Sequence, residues 1–149
     1  DVVSVPVIDG RMICAVAFQG RVACFDMSQG GSLLWSRDIS SAAGLALDNR
    51  YLFVTDERGA VHALDRNSGS SMWKQDKLLN RRVSGPAVQG GVVAVADAEG
   101  FVHFLSREDG SFVARKKIDG TPVRTPVQAL GSAFLVQTSG GSVNAIEAR

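Results

Sequence analysis

Two histidines are the first candidates for chemistry in this sequence, because they occupy one position in successive repeats. His62 and His103 each lie three residues after a glycine, whereas Ala23 and Asn144 stand at the matching positions elsewhere. A shared metal ion would need a ring nitrogen of each histidine at about 2.0–2.1 Å, but equivalent strands of stacked sheets lie about 10 Å apart. No acidic or cysteine third ligand is paired with them in the sequence. We therefore expect packed or hydrogen-bonded histidines rather than a metal site.

Aspartate also recurs, at the start of a turn that ends in glycine. Asp26 and Asp65 precede Gly30 and Gly69 by four residues. The matching positions in the other two repeats are Ser106 and Glu147. An acid in each repeat could form a metal or catalytic ring, but an aspartate that begins a turn can accept backbone N–H hydrogen bonds. The sequence therefore predicts turn caps.

Tryptophan marks the predicted outer strands. Trp35 and Trp73 occupy equivalent places, where the third repeat has Ala114. A large flat ring most simply packs between neighbouring sheets, and stacking on a cofactor is the alternative. The sequence contains no phosphate-binding glycine loop, nucleophile elbow or zinc-protease motif, and neither histidine has an evident nucleophile partner. We predict no catalysis and no bound cofactor or metal.

The two cysteines lie on the two arms of the first predicted hairpin. With a short hairpin loop, Cys14 and Cys24 would sit directly opposite each other. A disulfide is possible there, but bonds between directly paired strands are often strained. Two buried thiols are the expected state, and the redox compartment stays open.

Composition and periodicity predict an all-β fold. The 149 residues are 45% hydrophobic and 21% charged, with a net charge of +1, which is too small for a nucleic-acid binder that neutralises phosphates. Glycines 20, 59, 100 and 141 begin repeats of about 40 residues, each holding four antiparallel strands without helical periodicity. This pattern predicts a partial β-propeller of about four blades, over residues 1–40, 41–80, 81–120 and 121–149. The last blade lacks its outer strand.

The strand predictions follow the same order in each repeat. The first strands are expected at Val3–Ile8, Gly44–Leu47, Gly85–Gln89 and Arg124–Ala129. The second strands, at Met12–Phe18, Tyr51–Thr55, Val92–Ala96 and Ala133–Gln137, are almost wholly apolar. Continuous hydrophobicity predicts that both faces of these strands are covered. The two ends of the arc would leave open faces, which we expect to pack against a missing half, a second copy or a partner.

The link between the second and third repeats is a candidate interaction site. Leu78 and Leu79 are flanked by the basic residues Lys77, Arg81 and Arg82. An apolar contact with a basic rim on a loop is typical of a binding surface. The equal alternative is that both leucines fold back over the blade edges. Either way, we expect the inter-blade links and the turns between second and third strands to emerge on one rim.

The repeat, Gly-x-Val-x-Ala-Leu-Asp-x-x-x-Gly-x-x-x-Trp, resembles that of quinoprotein-type propellers. Over essentially its whole length the chain resembles the C-terminal half of the BamB family, the lipoproteins of the outer-membrane β-barrel assembly machinery. The residues that carry this resemblance are 1–10, Leu78-Leu79 with Arg81 before Ser84-Gly85-Pro86, Asp97–His103 and Glu108–Arg115.

The resemblance implies an eight-bladed ring, held by an N-terminal lipid at the periplasmic face of the outer membrane. It also implies a non-catalytic scaffold that binds the POTRA domains of BamA through inter-blade loops and assists unfolded outer-membrane protein substrates. One family contact segment, of Asp-x-Asp type, matches Asp1 to Val3, where Val3 replaces the second acid. The family's signal peptide and lipidated cysteine are not in this sequence.

Two other functions remain open. A quinone-dependent dehydrogenase uses the same repeat, but its site carries calcium ligands and commonly a disulfide between adjacent cysteines. Cys14 and Cys24 are not adjacent, which disfavours this function. The third hypothesis is a generic propeller interaction module with another partner.

Overall fold

Four antiparallel sheets follow one another along the chain in the computed structural model, which describes residues 4–148. Each sheet takes its strands in chain order, and we call the sheets blades 1 to 4. Blade 1 contains β1 (Val7–Asp9), β2 (Met12–Val16), β3 (Val22–Asp26) and β4 (Ser32–Arg37). Blade 2 contains β5 (Leu45–Leu47), β6 (Tyr51–Thr55), β7 (Val61–Asp65) and β8 (Ser71–Gln75). Blade 3 contains β9 (Ala87–Gln89), β10 (Val92–Ala96), β11 (Phe101–Ser106) and β12 (Phe112–Lys117). Blade 4 contains β13 (Gln128–Leu130), β14 (Ala133–Gln137) and β15 (Val143–Ile146).

The prediction of an all-β partial propeller is confirmed. Its described residues include one short 3-10 turn, Met27–Gln29, and no helix among them is long and apolar enough to span a bilayer. The inner strands begin later than predicted: β13 starts at Gln128 rather than Arg124, and β1 at Val7 rather than Val3. Prolines 6, 86 and 126 stand before the inner strands of blades 1, 3 and 4. Because proline has no N–H to donate, these entries stay outside the ladders.

The core is layered between successive blades. Three apolar clusters fill the spaces between blades 1 and 2, 2 and 3, and 3 and 4. The middle blades behave as predicted, since β6 is buried along its whole length. In the end blades, β2 alternates between buried and half-buried residues, and β14 does so up to the exposed Gln137, as expected for blades at the open ends of the arc. The described part of the chain places a sheet against only one face of each end blade.

The cysteines are joined, contrary to the expectation of two buried thiols. The β2–β3 register pairs Cys14 directly with Cys24, and a disulfide connects them with a Cα–Cα distance of 4.1 Å. Both side chains are buried in the cluster between blades 1 and 2. Direct antiparallel pairing brings facing side chains close enough to bond, and this proximity outweighed the argument from strain.

Candidate partner-binding rim

One rim of the arc is built from the inter-blade links and the turns between second and third strands, and we call it the link rim. Each link is hydrogen-bonded to these turns through the backbone. In blade 2 the turn is bonded on both sides, since Glu57 N–H donates to Ser40 O at 2.9 Å and Asn80 N–H donates to Arg58 O at 3.0 Å. In blade 3, Ala98 N–H donates to Arg81 O at 3.0 Å. The links are therefore held in place rather than free, as a surface for recognition requires.

The predicted site residues of the second link divide into two groups. Leu78 is only 3% exposed and packs in the core between blades 2 and 3, whereas Leu79 is 41% exposed. Arg82 is exposed next to Arg81, which is half-buried and ion-paired. Leu78 thus takes the alternative in which the leucine folds back over the blade. Asp1 and Val3 lie outside the described residues, and the role of all six in binding stays a prediction.

The second link is anchored by Asp97, a buried carboxylate of the β10–β11 turn whose role was not predicted from the sequence. Asp97 accepts hydrogen bonds from Arg81 Nε at 2.8 Å and from the N–H groups of Glu99 and Phe101, and its other contact is His103 Nε2 at 2.7 Å. Burial opposes ionisation of Asp97, but these hydrogen bonds outweigh it and hold the pKa of the carboxyl below its usual value. Burial lowers the pKa of His103, despite the neighbouring carboxylate.

The same pair recurs in blade 2, where His62 Nε2 lies 2.8 Å from Asp56 Oδ2. The expectation that no acid accompanies the histidines was wrong. The signal was present in the sequence, because Asp precedes His by six residues in both repeats. The other repeats change both residues together, to Ala17 with Ala23 and Thr138 with Asn144. Each histidine has its own carboxylate, and residues 4–148 contain no group of three or more side chains suited to a metal ion.

The turn aspartates act as predicted. Asp26 Oδ1 accepts the N–H of Ser28 at 2.8 Å, and Asp65 Oδ1 accepts the N–H groups of Asn67 and Ser68, each at 2.9 Å. Hydrogen bonds from Ser28 lower the pKa of Asp26, and the backbone bonds from Ser68 and Asn67 lower that of Asp65. Both aspartates therefore cap turns, and the prediction is confirmed.

The tryptophans join neighbouring blades, also as predicted. Trp35 of blade 1 donates from Nε1 to Arg66 O of blade 2 at 2.8 Å, and its ring covers Gly69, where an added Cβ would lie 2.5 Å from it. Trp73 of blade 2 repeats this contact with Arg107 O and Gly110 of blade 3. These residues are structural clamps.

The rim opposite the link rim is also cross-linked between blades. Arg66 Nη1 of blade 2 lies 2.6 Å from Asp9 Oδ2 of blade 1. Arg107 Nε of blade 3 lies 2.5 Å from Asp48 Oδ2 of blade 2. Burial disfavours charge on Asp48, yet the hydrogen bond from Arg107 and backbone N–H groups keeps the pKa of that carboxyl lowered. These two ion pairs serve contacts between blades, whereas Leu79 and Arg82 remain exposed on the link rim, which makes the link rim the better candidate for binding a partner.

Sequence comparison places the chain in a known family. A family profile described as "Outer membrane protein assembly factor BamB" matches residues 1–75 and 76–149. The chain belongs to the BamB family. A BamB of Bordetella pertussis is 46% identical over 148 residues, which is 99% of this chain and 38% of that protein. This chain thus spans well under half the length of the BamB relatives that it matches.

Solved structures agree on the fold. BamB from Moraxella catarrhalis superposes with a TM-score of 0.92 at 24% identity, covering 99% of this chain and 44% of that one. A quinohemoprotein alcohol dehydrogenase from Comamonas testosteroni gives a TM-score of 0.64 at 21% identity, over 78% of this chain and 21% of that one. At these identities both likenesses concern the propeller fold alone.

Proposed function

We propose that this chain is part of a non-catalytic scaffold in the machinery that assembles β-barrel proteins into the outer membrane. The observation that carries the proposal is membership of the BamB family over the whole chain, since its relatives are named outer membrane protein assembly factors. The scaffold binds the POTRA region of BamA through the link rim and assists delivery of unfolded barrel proteins. Neither a cofactor nor nucleic acid takes part.

The geometry of the second link supports this role for the link rim. Leu78 and Arg81 anchor the link to the blades, and this anchoring leaves Leu79 and Arg82 in solvent. Asn80 and Arg82 both have positive φ angles, 65° and 54°, a conformation that asparagine tolerates but arginine rarely adopts. Such strain is retained most often where a loop must present particular side chains.

The disulfide supports a periplasmic location. Disulfides persist in oxidising compartments such as the bacterial periplasm and are rare in the cytosol. The Cys14–Cys24 bond therefore fits a protein on the periplasmic side of the outer membrane, where BamB relatives would act as assembly factors. In the full-length protein, an N-terminal lipid would hold the ring there.

The test is binding of the full-length protein to the purified periplasmic region of BamA. We expect Leu79→Asp with Arg82→Glu, and separately Asp1→Lys, to weaken binding by roughly tenfold or more, as loss of a contact residue does at interfaces. The control is Asn67→Glu, an exposed residue of the opposite rim. If well-folded rim variants bind like the wild type, the link rim is not the BamA site.

Two further experiments separate the alternatives. Titration of the full-length protein with quinone and calcium tests the dehydrogenase hypothesis. That hypothesis is supported by the fold that this chain shares with the quinohemoprotein alcohol dehydrogenase. A pull-down from envelope extracts tests the generic interaction module. Recovery of BamA supports the scaffold, whereas recovery of an unrelated partner without BamA contradicts it.

A further inference from the structure

A groove of about 420 Å³ lies on the outer side of the arc, between the second link and the outer strand of blade 3. Its floor includes the buried residues Leu78 and His103, and its outer lip is formed by Phe112 and Val113. These two lip residues are 42% and 54% exposed. Its lining comes from the second link and from strands β11 and β12 of blade 3. We call it the outer groove, and its size falls within the range of ligand clefts.

Cationic side chains line the outer groove and continue beyond it. Lys77, Arg81 and Arg115 line it, and Lys117 extends the row along β12. Arg115, Lys117 and Arg81 all lie over the ring of Phe101, at 4.8, 5.7 and 5.7 Å from its centroid. Arg81 is neutralised by Asp97 and Glu99, but Lys77, Arg115 and Lys117 form no ion pair within residues 4–148.

The fold itself does not require this chemistry, as blade 2 shows. The strand registers pair His62 with Lys74 and Leu64 with Ser71, in the way that His103 pairs with Arg115 and Leu105 with Phe112. Blade 2 therefore has Ser71 in place of Phe112. It likewise has Ala60 in place of Phe101 and Asp76 in place of Lys117. Two aromatic rings and an additional cation belong to blade 3 in particular, which indicates a binding role.

We propose that the outer groove binds an extended acidic segment of a partner polypeptide. Residues two apart on a strand lie about 6.6 Å apart on the same face, and this is the relation between Arg115 and Lys117. Carboxylates two residues apart on an extended partner segment have the same spacing, so both can meet a cation. An apolar side chain further along that segment packs against Phe112 and Val113. The outer groove shares Lys77, Leu78 and Arg81 with the second link, but the proposal does not rest on the proposed function, because it requires neither BamA nor the exposed residues Leu79 and Arg82.

The test uses the full-length protein and a labelled hexapeptide of sequence Phe-Ser-Glu-Ser-Glu-Ser, which places all three recognition groups on one face when extended. Fluorescence anisotropy should show saturable binding. We expect Arg115→Glu with Lys117→Glu to weaken it by roughly tenfold or more, because opposite charges become like charges. Phe112→Ser, which copies the blade 2 residue, should also weaken binding.

Two matched controls make the outcome decisive. Lys74→Glu changes the equivalent residue of blade 2 and should leave peptide affinity unchanged. The isomer Phe-Glu-Glu-Ser-Ser-Ser has the same charge but places its carboxylates on opposite faces, and it should bind more weakly. Equal binding of the two peptides, equal loss in the Lys74 variant, or no saturable binding at millimolar peptide would each overturn the proposal. Circular dichroism confirms that every variant remains folded.

Discussion

Asp97 shows how one residue can connect three parts of a blade. Its carboxylate holds Arg81 of the link, His103 of β11 and the backbone of its own turn. Asp56 makes the corresponding bonds to His62 and its turn, and its lowered pKa reflects these hydrogen bonds prevailing over burial. In the link that precedes blade 2, Ser40 occupies the position equivalent to Arg81. Its hydroxyl donates a hydrogen bond to Glu57 Oε2 rather than to the buried aspartate. Blade 3 therefore carries the more strongly anchored link.

Acid should destabilise the protein through His103. Burial lowers the pKa of this histidine in the folded state, whereas the unfolded chain takes up a proton near the ordinary pKa of about 6.5. The stabilising contribution is complete above pH 6.5 and is lost as the pH falls from there towards the folded pKa. Between pH 6.5 and 5 the loss is at most about 2 kcal/mol, since one proton contributes about 1.4 kcal/mol per pH unit.

Urea unfolding at pH 7.5 and pH 5 measures this effect. The matched variant is His103→Asn, which copies the residue of blade 4, Asn144. We expect the wild type to lose more stability on acidification than this variant. The same loss in both proteins would contradict the assignment to His103.

At the residue scale, local hydrogen bonds were predictable and longer contacts were not. The caps of Asp26 and Asp65 involve backbone groups two or three residues away. They could therefore be predicted from the spacing of residues in the sequence. The Asp97–His103 pair spans six residues, a spacing that becomes meaningful only once the turn between two strands is defined. The direct pairing of Cys14 with Cys24 was predicted from a short hairpin loop, but the argument from strain gave the wrong preference for two thiols.

The blades are joined by pairs of a tryptophan and a glycine, and the glycine is the more constrained member. Gly110 has a φ of +74°, and an added Cβ would lie 2.4 Å from the Trp73 ring. Gly90 has a φ of +56° with open space around it. Both positions disfavour alanine through the backbone, but only Gly110 disfavours it through packing as well.

We expect Gly90→Ala to cost about 1–2 kcal/mol of stability, because a left-handed conformation is disfavoured for alanine. Gly110→Ala should cost about 1–3 kcal/mol more than Gly90→Ala, because this is the usual penalty for overpacking. The measurement is the free energy of unfolding in urea for the two variants and the wild type. Equal losses would show that the Trp73 ring moves aside without cost.

At the element scale, the number and order of strands followed from the repeat, but their ends did not. Apolar runs located β6, β10 and β14 with the bounds that the structure has. The same reasoning extended β2 to Phe18, which is instead exposed beyond the strand end at Val16. Hydropathy alone cannot distinguish a strand residue from an apolar residue in a turn.

At the scale of the whole molecule, the Cys14–Cys24 disulfide cross-links blade 1. One face of this blade has no sheet packed against it among the described residues. A disulfide that closes a loop of this length stabilises a protein by about 2–3 kcal/mol in the chain-entropy model. Cys14 and Cys24 are ten residues apart. We therefore expect dithiothreitol to lower the unfolding free energy of the full-length protein by that amount.

The control is the double variant Cys14→Ala with Cys24→Ala, whose stability should not respond to the reductant through this bond. An equal response of wild type and double variant would assign the effect to other cysteines. Unchanged stability of the reduced wild type would contradict a stabilising role for the bond. At this scale the arc of blades was predictable from a repeat of about 40 residues, whereas closure into a ring of eight stays a prediction.

The tryptophan clamps all point in one direction along the chain. Trp35 precedes its carbonyl partner by 31 residues and Trp73 precedes its partner by 34. A polypeptide that emerges from its N-terminus therefore exposes each indole ring until the next blade has been made. The newest blade completes the one before it, so the arc can assemble stepwise in the order of synthesis. While residues 36–66 and then 74–107 are being made, the nascent chain would carry one unclamped ring near its growing end.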